Sequence, residues 1–206
     1  MPSKITAQTQ QKIALFGATG TIGKALVAAL SPKYQVLQVG HRQGQYQADL
    51  AKADSLRNVF KAIGAVDAIV STAGAAKFGP LESLSDEDFR FSLANKLMGQ
   101  VNLTRIGLDY LNSKGSITLT SGILSHKPMV GSAAVSLVNA GLEGFARAAA
   151  LEAPRGIRVN VVSPSWVTET LKTLNLDPSL GKPAVEVAHG YVKSIEGLQS
   201  GEVIEV

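Results

Sequence analysis

Three glycines spaced three apart, Gly17, Gly20 and Gly23 in "FGATGTIGKAL", are the first residues along the chain whose spacing implies chemistry. An apolar run precedes them and a helix-forming segment follows. Glycine tolerates positive φ and lets backbone approach an anion, while a helix N-terminus offers free N–H groups and the positive end of its dipole. Such a turn holds a pyrophosphate, and the residues expected to form it are Gly17, Thr19, Gly20, Thr21, Ile22 and Gly23. The spacing is G-x-x-G-x-x-G rather than G-x-G-x-x-G, so the glycines alone do not name the ligand. The next strand end discriminates, because a carboxylate about 20 residues after the glycines holds the ribose 2′-hydroxyl of NAD. Here the chain reads "VLQVGHRQGQYQAD", with no Asp or Glu before Asp49 and with His41 and Arg42 at the strand end. A guanidinium grips a 2′-phosphate in bidentate fashion, so the expected cofactor is NADP(H), with Asp49 and Leu50 against its adenine.

The elements that must position these residues follow from the apolar pattern. Short β-like runs at 12–16, 34–39, 46–49, 66–71, 116–120, 158–162 and 202–206 alternate with helix-like segments at 21–30, 54–63, 85–113, 132–153 and 183–195. The strand runs are continuously apolar rather than alternating, which predicts a sheet buried on both faces. The expected fold is therefore α/β: a single-domain, Rossmann-like, doubly wound parallel sheet of about seven strands with helices on both faces. Residues 1–11 are read as an N-terminal extension and 12–206 as the NADP(H)-binding domain.

Composition narrows the function further. A chain of 206 residues, 45% of them hydrophobic, buries one sizeable core. It has no cysteine, so disulfide and thiolate chemistry are excluded, and its three histidines, His41, His126 and His189, have no metal-ligand spacing. No metal is expected. Twenty basic residues against 16 acidic ones form no basic run, so no nucleic-acid partner is expected. No apolar run reaches the roughly 18 to 20 residues of a membrane span, and no signal peptide is read at the start; a cytoplasmic protein is the expectation.

From "STAGAAKFGPLESL" onward the pattern resembles the short-chain dehydrogenase/reductase family, and nearly the whole chain from Lys12 to Val206 can be laid on that family's plan. Ser71-Thr72-Ala73-Gly74 resembles the family's Asn-Asn-Ala-Gly strand end. Asn95 in "LANKLMGQVNL" matches its helix asparagine, and "ITLTSG" ends a strand at Thr120 and Ser121, the latter at the place of the catalytic serine. "RVNVVSPSWVTET" resembles the strand and turn that grip the nicotinamide carboxamide, with Ser165 for glycine after Pro164; "SGEVIEV" resembles the closing strand. The resemblance implies that Ser121 hydrogen-bonds a substrate carbonyl, that Val167 and Thr168 orient the nicotinamide, and that removing the Ser121 hydroxyl abolishes most turnover while leaving NADPH bound. It also implies a homodimer or homotetramer built on the helices at 85–113 and 132–153.

One part of the plan is missing. The family's acid is a tyrosine about 13 residues after the serine, with a lysine four further on, one turn away on the same helix face. Counted from Ser121, those positions are Ala134 and Val138, and a shift of one or two residues finds neither side chain. Three replacements are open: a water held by Ser121 and Asn139, a loop acid such as His126 or Lys127, or a substrate that needs no protein acid, as an activated alkene would. The resulting expectation is an NADP(H)-dependent oxidoreductase acting on an unidentified small carbonyl or activated alkene with a non-standard proton source. Its rival is a non-catalytic NADP(H)-binding sensor or scaffold.

Overall fold

The computed structural model describes residues 10–206; the first nine residues of the expected N-terminal extension lie outside the described residues. Seven strands form one all-parallel sheet in the order β3-β2-β1-β4-β5-β6-β7: β1 Lys12–Phe16, β2 Gln35–Gly40, β3 Tyr46–Gln47, β4 Val66–Ser71, β5 Leu111–Thr120, β6 Arg158–Ser163 and β7 Val203–Glu205. The helices are α1 Thr21–Leu30, α2 Ala53–Ile63, α3 Asp86–Ser92, α4 Gly99–Gly107, α5 Ala133–Glu152, α6 Thr168–Thr173 and α7 Ala184–Glu196. Among the described residues, no helix is long and apolar enough to cross a membrane.

Each strand feeds both faces, as its unbroken apolar run requires. From β1, Ala14 and Phe16 enter the core shared with Leu56 and Phe60 of α2, Leu103 of α4 and Leu142 of α5. Ile13 and Leu15 point the other way, to Leu26 and Leu30 of α1 and Val187 and Tyr191 of α7. Burying each such large apolar side chain contributes about 1.5 to 3 kcal/mol, and the two layers fix α1 and α5 on opposite faces with their N-termini at the carboxyl edge of the sheet. The order reverses between β1 and β4, so a crevice opens at that edge.

Three expectations are corrected. The helix anticipated over 85–113 is interrupted: α3 passes through a π-helical turn at Leu93–Met98 into α4, and a short 3-10 turn at Leu108–Tyr110 ends it. The strand anticipated at 116–120 begins at Leu111, which pairs with Val66 before the register shifts; Lys114 at φ 63° and Gly115 between them disguise the irregular start. The short segment after β6 contains a helix the apolar pattern did not announce, α6, which is capped by Val167 rather than by a Ser, Asp or Asn.

Candidate active site

Two cavities lie along the carboxyl edge, and both are lined by Thr72 and Gly74, so they form one cleft. The first, about 480 Å³, is lined by Gly17, Thr19, Gly20, His41, Asp49, Leu50, Thr72, Ala73, Gly74 and Asn95 among others. Gly17, Gly20, Gly40 and Gly74 are among its lining residues and bring side-chain-free backbone to it. Gly17 has φ +86°, and a Cβ there would stand 2.7 Å from Thr72 Oγ1. Gly20 precedes the first turn of α1 without a side-chain cap, leaving N–H groups for an anion. Gly23 does not line the cavity; it is buried beneath the turn, where a Cβ would fall 2.0 Å from the Gly17 carbonyl oxygen. Thr72 Oγ1 donates to the Phe16 and Gly17 carbonyls at 3.3 and 3.2 Å, tying the end of β4 to the glycine turn.

Thr21 is exposed in the first turn of α1, and Ser71 is fully buried at the end of β4. Arg42 is exposed in the loop after β2, one residue beyond His41. Asp49 is held at the mouth: its Oδ1 accepts from Ala51 N at 3.0 Å and Lys52 lies 3.6 Å from Oδ2. These residues fit a phosphorylated adenosine, with anion-ready backbone at one end and, where β2 ends, a cation and no carboxylate.

The second cavity, about 350 Å³, is walled by Ile22, Thr120, Ser121, Gly122, Val135, Asn139, Pro164, Ser165 and Val167, together with Lys96. Asn139 Oδ1 and Ser165 Oγ are buried here without a hydrogen-bond partner, which is how a site awaiting a polar ligand such as a carboxamide presents itself. Thr168 does not reach the wall: its N–H donates to the Lys182 carbonyl at 2.9 Å and its hydroxyl to that of Pro178 at 3.3 Å. Thr120 is largely turned inward, its hydroxyl 2.7 Å from that of Tyr191.

The helix register differs from the one counted from Ser121. Ala134 and Val138 are fully buried, facing the core; the α5 positions that face the cavity are Val135 and Asn139, again four apart. Counting about 13 residues back from Val135, the family's spacing, reaches Gly122 rather than Ser121. A Cβ at Gly122 would lie 3.0 Å from Asn139 Nδ2, so this glycine and this asparagine belong together. Ser121 is 3% exposed and its hydroxyl donates to Glu143 Oε1 at 2.9 Å, committed to α5 rather than free for a carbonyl.

The helix asparagine is displaced in the same way. Asn95 faces the first cavity, and its Nδ2 donates to the Phe91 carbonyl at 3.3 Å. The residue that the π-helical turn carries to the second cavity is its neighbour Lys96, whose Nζ donates to the Ser121 carbonyl at 3.1 Å. Burial pushes its pKa down to about 8. The four tyrosines lie elsewhere: Tyr191 is buried with its pKa raised by desolvation, Tyr110 stacks on Phe60, Tyr34 donates to Glu196 and Tyr46 belongs to β3. His126 and Lys127 also miss the cavity wall, and His126 Nε2 lies 3.6 Å from Glu205.

Comparison with known proteins agrees with this layout. Residues 6–186 match the family model described as enoyl-(acyl carrier protein) reductase. The chain belongs to the short-chain dehydrogenase/reductase family. Within that family, it is 31% identical to human 3-oxoacyl-[acyl-carrier-protein] reductase over 213 residues, covering 89% of this chain and 90% of the relative. A solved Listeria innocua protein, lin1944, is 41% identical with a TM-score of 0.92, covering 95% of this chain and 99% of that one. A small-chain dehydrogenase solved in complex with NADPH is 27% identical with a TM-score of 0.84, each chain being covered to 96%.

Sequence reasoning missed Lys96. The one available signal was its place: the residue beside Asn95, three before Gly99, in a helix whose turn is widened there. Nothing in a single sequence announces a π-helical turn.

Proposed function

We propose that this protein is an NADP(H)-dependent oxidoreductase that reduces a small carbonyl compound or an activated alkene. The observation that carries the reading is the continuous cleft, backbone-lined and anion-ready at the α1 end and polar at the β5–β6 end, with no carboxylate where β2 finishes. When bound, NADPH supplies hydride to the substrate carbon and leaves as NADP⁺, so a ketone or aldehyde leaves as an alcohol. The NADPH-bound dehydrogenase of similar fold supports the choice of cofactor.

In this reading Gly17, Gly20 and the α1 N-terminus hold the pyrophosphate. Arg42 holds the 2′-phosphate, with His41 beside it. Asp49 and Leu50 border the adenine, and Ser165 with Val167 orients the carboxamide. The protein works in the cytoplasm as a homodimer or homotetramer in which α4 and α5 face a second copy.

A second reading, a cofactor-binding sensor without turnover, is favoured by Val135 and Gly122, which place no hydroxyl where the family's tyrosine and serine stand. Fluorescence titration with NADPH and NADH, beside NADPH oxidation with ketones, aldehydes, β-ketoacyl thioesters and activated alkenes, separates the two. Tighter binding of NADPH than NADH and turnover on at least one substrate class are expected. Tight NADPH binding with no turnover above background would establish the sensor.

A further inference from the structure

We infer that Lys96 is the proton donor of the reduction, delivering a proton from Nζ to the substrate's carbonyl oxygen where the rest of the family employs a tyrosine. The inference rests on the reductase reading above and adds the residue that completes its chemistry. Among the described residues lining the second cavity, Lys96 is the one ionisable side chain. Its placement is built in at two points. The π-helical turn at Leu93–Met98 shifts the helix so that Lys96, and not Asn95, reaches this cavity. Gly74, at φ +125°, then lies against the lysine stem so closely that a Cβ there would stand 3.1 Å from the Lys96 Cα. Single-turn π-bulges of this kind recur at functional sites.

An ammonium carries three N–H donors, and the structure commits one, to the Ser121 carbonyl at 3.1 Å. The others are available to a ligand in the cavity, beside the unpartnered Asn139 Oδ1. As the carbonyl carbon accepts its hydride, the C=O π pair moves to oxygen. An O–H bond forms there while one Nζ–H bond of Lys96 breaks. The neutral amine regains its proton from water reaching the open cleft, so the net consumption is one proton per alcohol formed.

The surroundings keep the lysine available for this. From α5 the ionisable neighbour is Glu143, already engaged by the Ser121 hydroxyl and 4.0 Å from Arg147. From α3, Asp88 lies 3.9 Å from Lys77, while Asp86 and Glu87 pair with Arg90. Arg105 of α4 is exposed, the Gly74 loop contributes Lys77, whose Nζ is taken up by Asp88 and lies 5.2 Å from the Phe91 ring centroid, and the carboxyl end of β5 contributes no charge. Burial therefore dominates, and with a pKa near 8 the group is protonated at neutral pH yet acidic enough to give its proton up.

The test compares wild type with Lys96→Met and Lys96→Arg by NADPH titration, pH–rate profiles with the substrate panel, and ¹³C NMR of Cε-labelled lysine. Lys96→Met is expected to fold and to bind NADPH within about three-fold of wild type. Its kcat should fall by about 100-fold or more, and the decline above about pH 8 expected of wild type should be absent from it. Lys96→Arg should not recover the rate, because a guanidinium keeps the charge but does not release a proton near neutrality. The lysine resonance missing from Lys96→Met should titrate near 8 in wild type rather than at the ordinary 10.5.

Undiminished turnover in Lys96→Met, recovery in Lys96→Arg, or a resonance titrating at the ordinary value would each overturn the proton-donor role while leaving the reductase reading intact. Failure of the wild type to bind NADPH or to reduce any member of the panel would instead overturn the reductase reading, and this inference with it.

Discussion

The two halves of the cleft are built on different principles. The half against β1 and β2 is shaped by main chain: Gly17 and Gly20 leave room for an anion and Gly23 lets α1 press onto the turn. The half between β5 and β6 is shaped by side chains on α5, where Val135 and Asn139 line the cavity, and on the π-helical turn. Backbone-built function tolerates little substitution at Gly17 and Gly23, because the first atom of any side chain, Cβ, is already a clash there. Side-chain function can migrate, provided another residue reaches the same volume. Lys96 reaches it from a different helix.

The sharpest way to break this contrast is at Gly23. A Cβ at this position would lie 2.0 Å from the Gly17 carbonyl oxygen and 2.8 Å from the Ala18 backbone, so α1 must withdraw from the turn. Gly23→Ala is expected to weaken NADPH binding by about 100-fold or more, measured by fluorescence titration. Binding within three-fold of wild type would show that the anion site does not depend on the close approach of α1.

Next in size is the side-chain contribution to the same half. If Arg42 pairs with the 2′-phosphate, the charge-assisted contact contributes about 1.5 to 3 kcal/mol. Arg42→Ala should then weaken NADPH by about 10- to 100-fold and leave NADH unchanged. Equal losses for both cofactors would remove the 2′-phosphate from the role of Arg42.

Smaller again is the effect at Ser121, where the two halves of the contrast meet. The sequence places this serine in the catalytic position, but its hydroxyl is held by Glu143 Oε1 at 2.9 Å. Ser121→Ala leaves a buried carboxylate short of a partner, at a cost of about 1 to 3 kcal/mol. For a chain of this size that lowers the melting temperature by about 2 to 4 °C per kcal/mol. Turnover is expected to stay within about ten-fold, roughly 1.4 kcal/mol of barrier, well above that of Lys96→Met. A loss as deep as that of Lys96→Met, without a fall in melting temperature, would return Ser121 to the reacting oxygen.

The contrast also explains what could be read from the residues alone. β1 at Lys12–Phe16, α1 at Thr21–Leu30 and β4 at Val66–Ser71 fall where the sequence places them, because apolar runs and glycine spacing are local signals. The proposal of NADP(H) rests on a missing carboxylate, which is also a local signal. The side-chain half was not. On α5 the stretch "GSAAVSLVNAG" has no tyrosine to mark its register, so a count begun one residue early pointed to buried Ala134 and Val138 instead of Val135 and Asn139. Near Asn95 the resemblance to the family's helix asparagine names the residue that lines the first cavity, while within the π-helical turn it is the neighbouring Lys96 that lines the second. Both errors are of a single residue, and both follow from facing directions that only packing decides.

The smallest effect expected on the chain itself is on the outer face of α5. Leu137, Ala140, Gly144 and Ala148 are exposed along one stripe of this helix, and a Cβ at Gly144 would meet nothing within 4 Å. In a chain that stays alone, Gly144→Leu should therefore stabilise, since glycine inside a helix costs about 0.8 to 1.0 kcal/mol relative to good helix formers. If α5 packs closely against a second copy, as the oligomer proposed above requires, the same leucine occupies the volume of the opposing helix. Sedimentation is then expected to show the wild type as a dimer or tetramer and the Gly144→Leu chain at a smaller mass. A variant that keeps the wild-type mass and melts higher would place the interface off this stripe, and a monomeric wild type would remove the oligomer altogether. In either of those cases the Lys96 cavity would have to function without any support from a neighbouring α5.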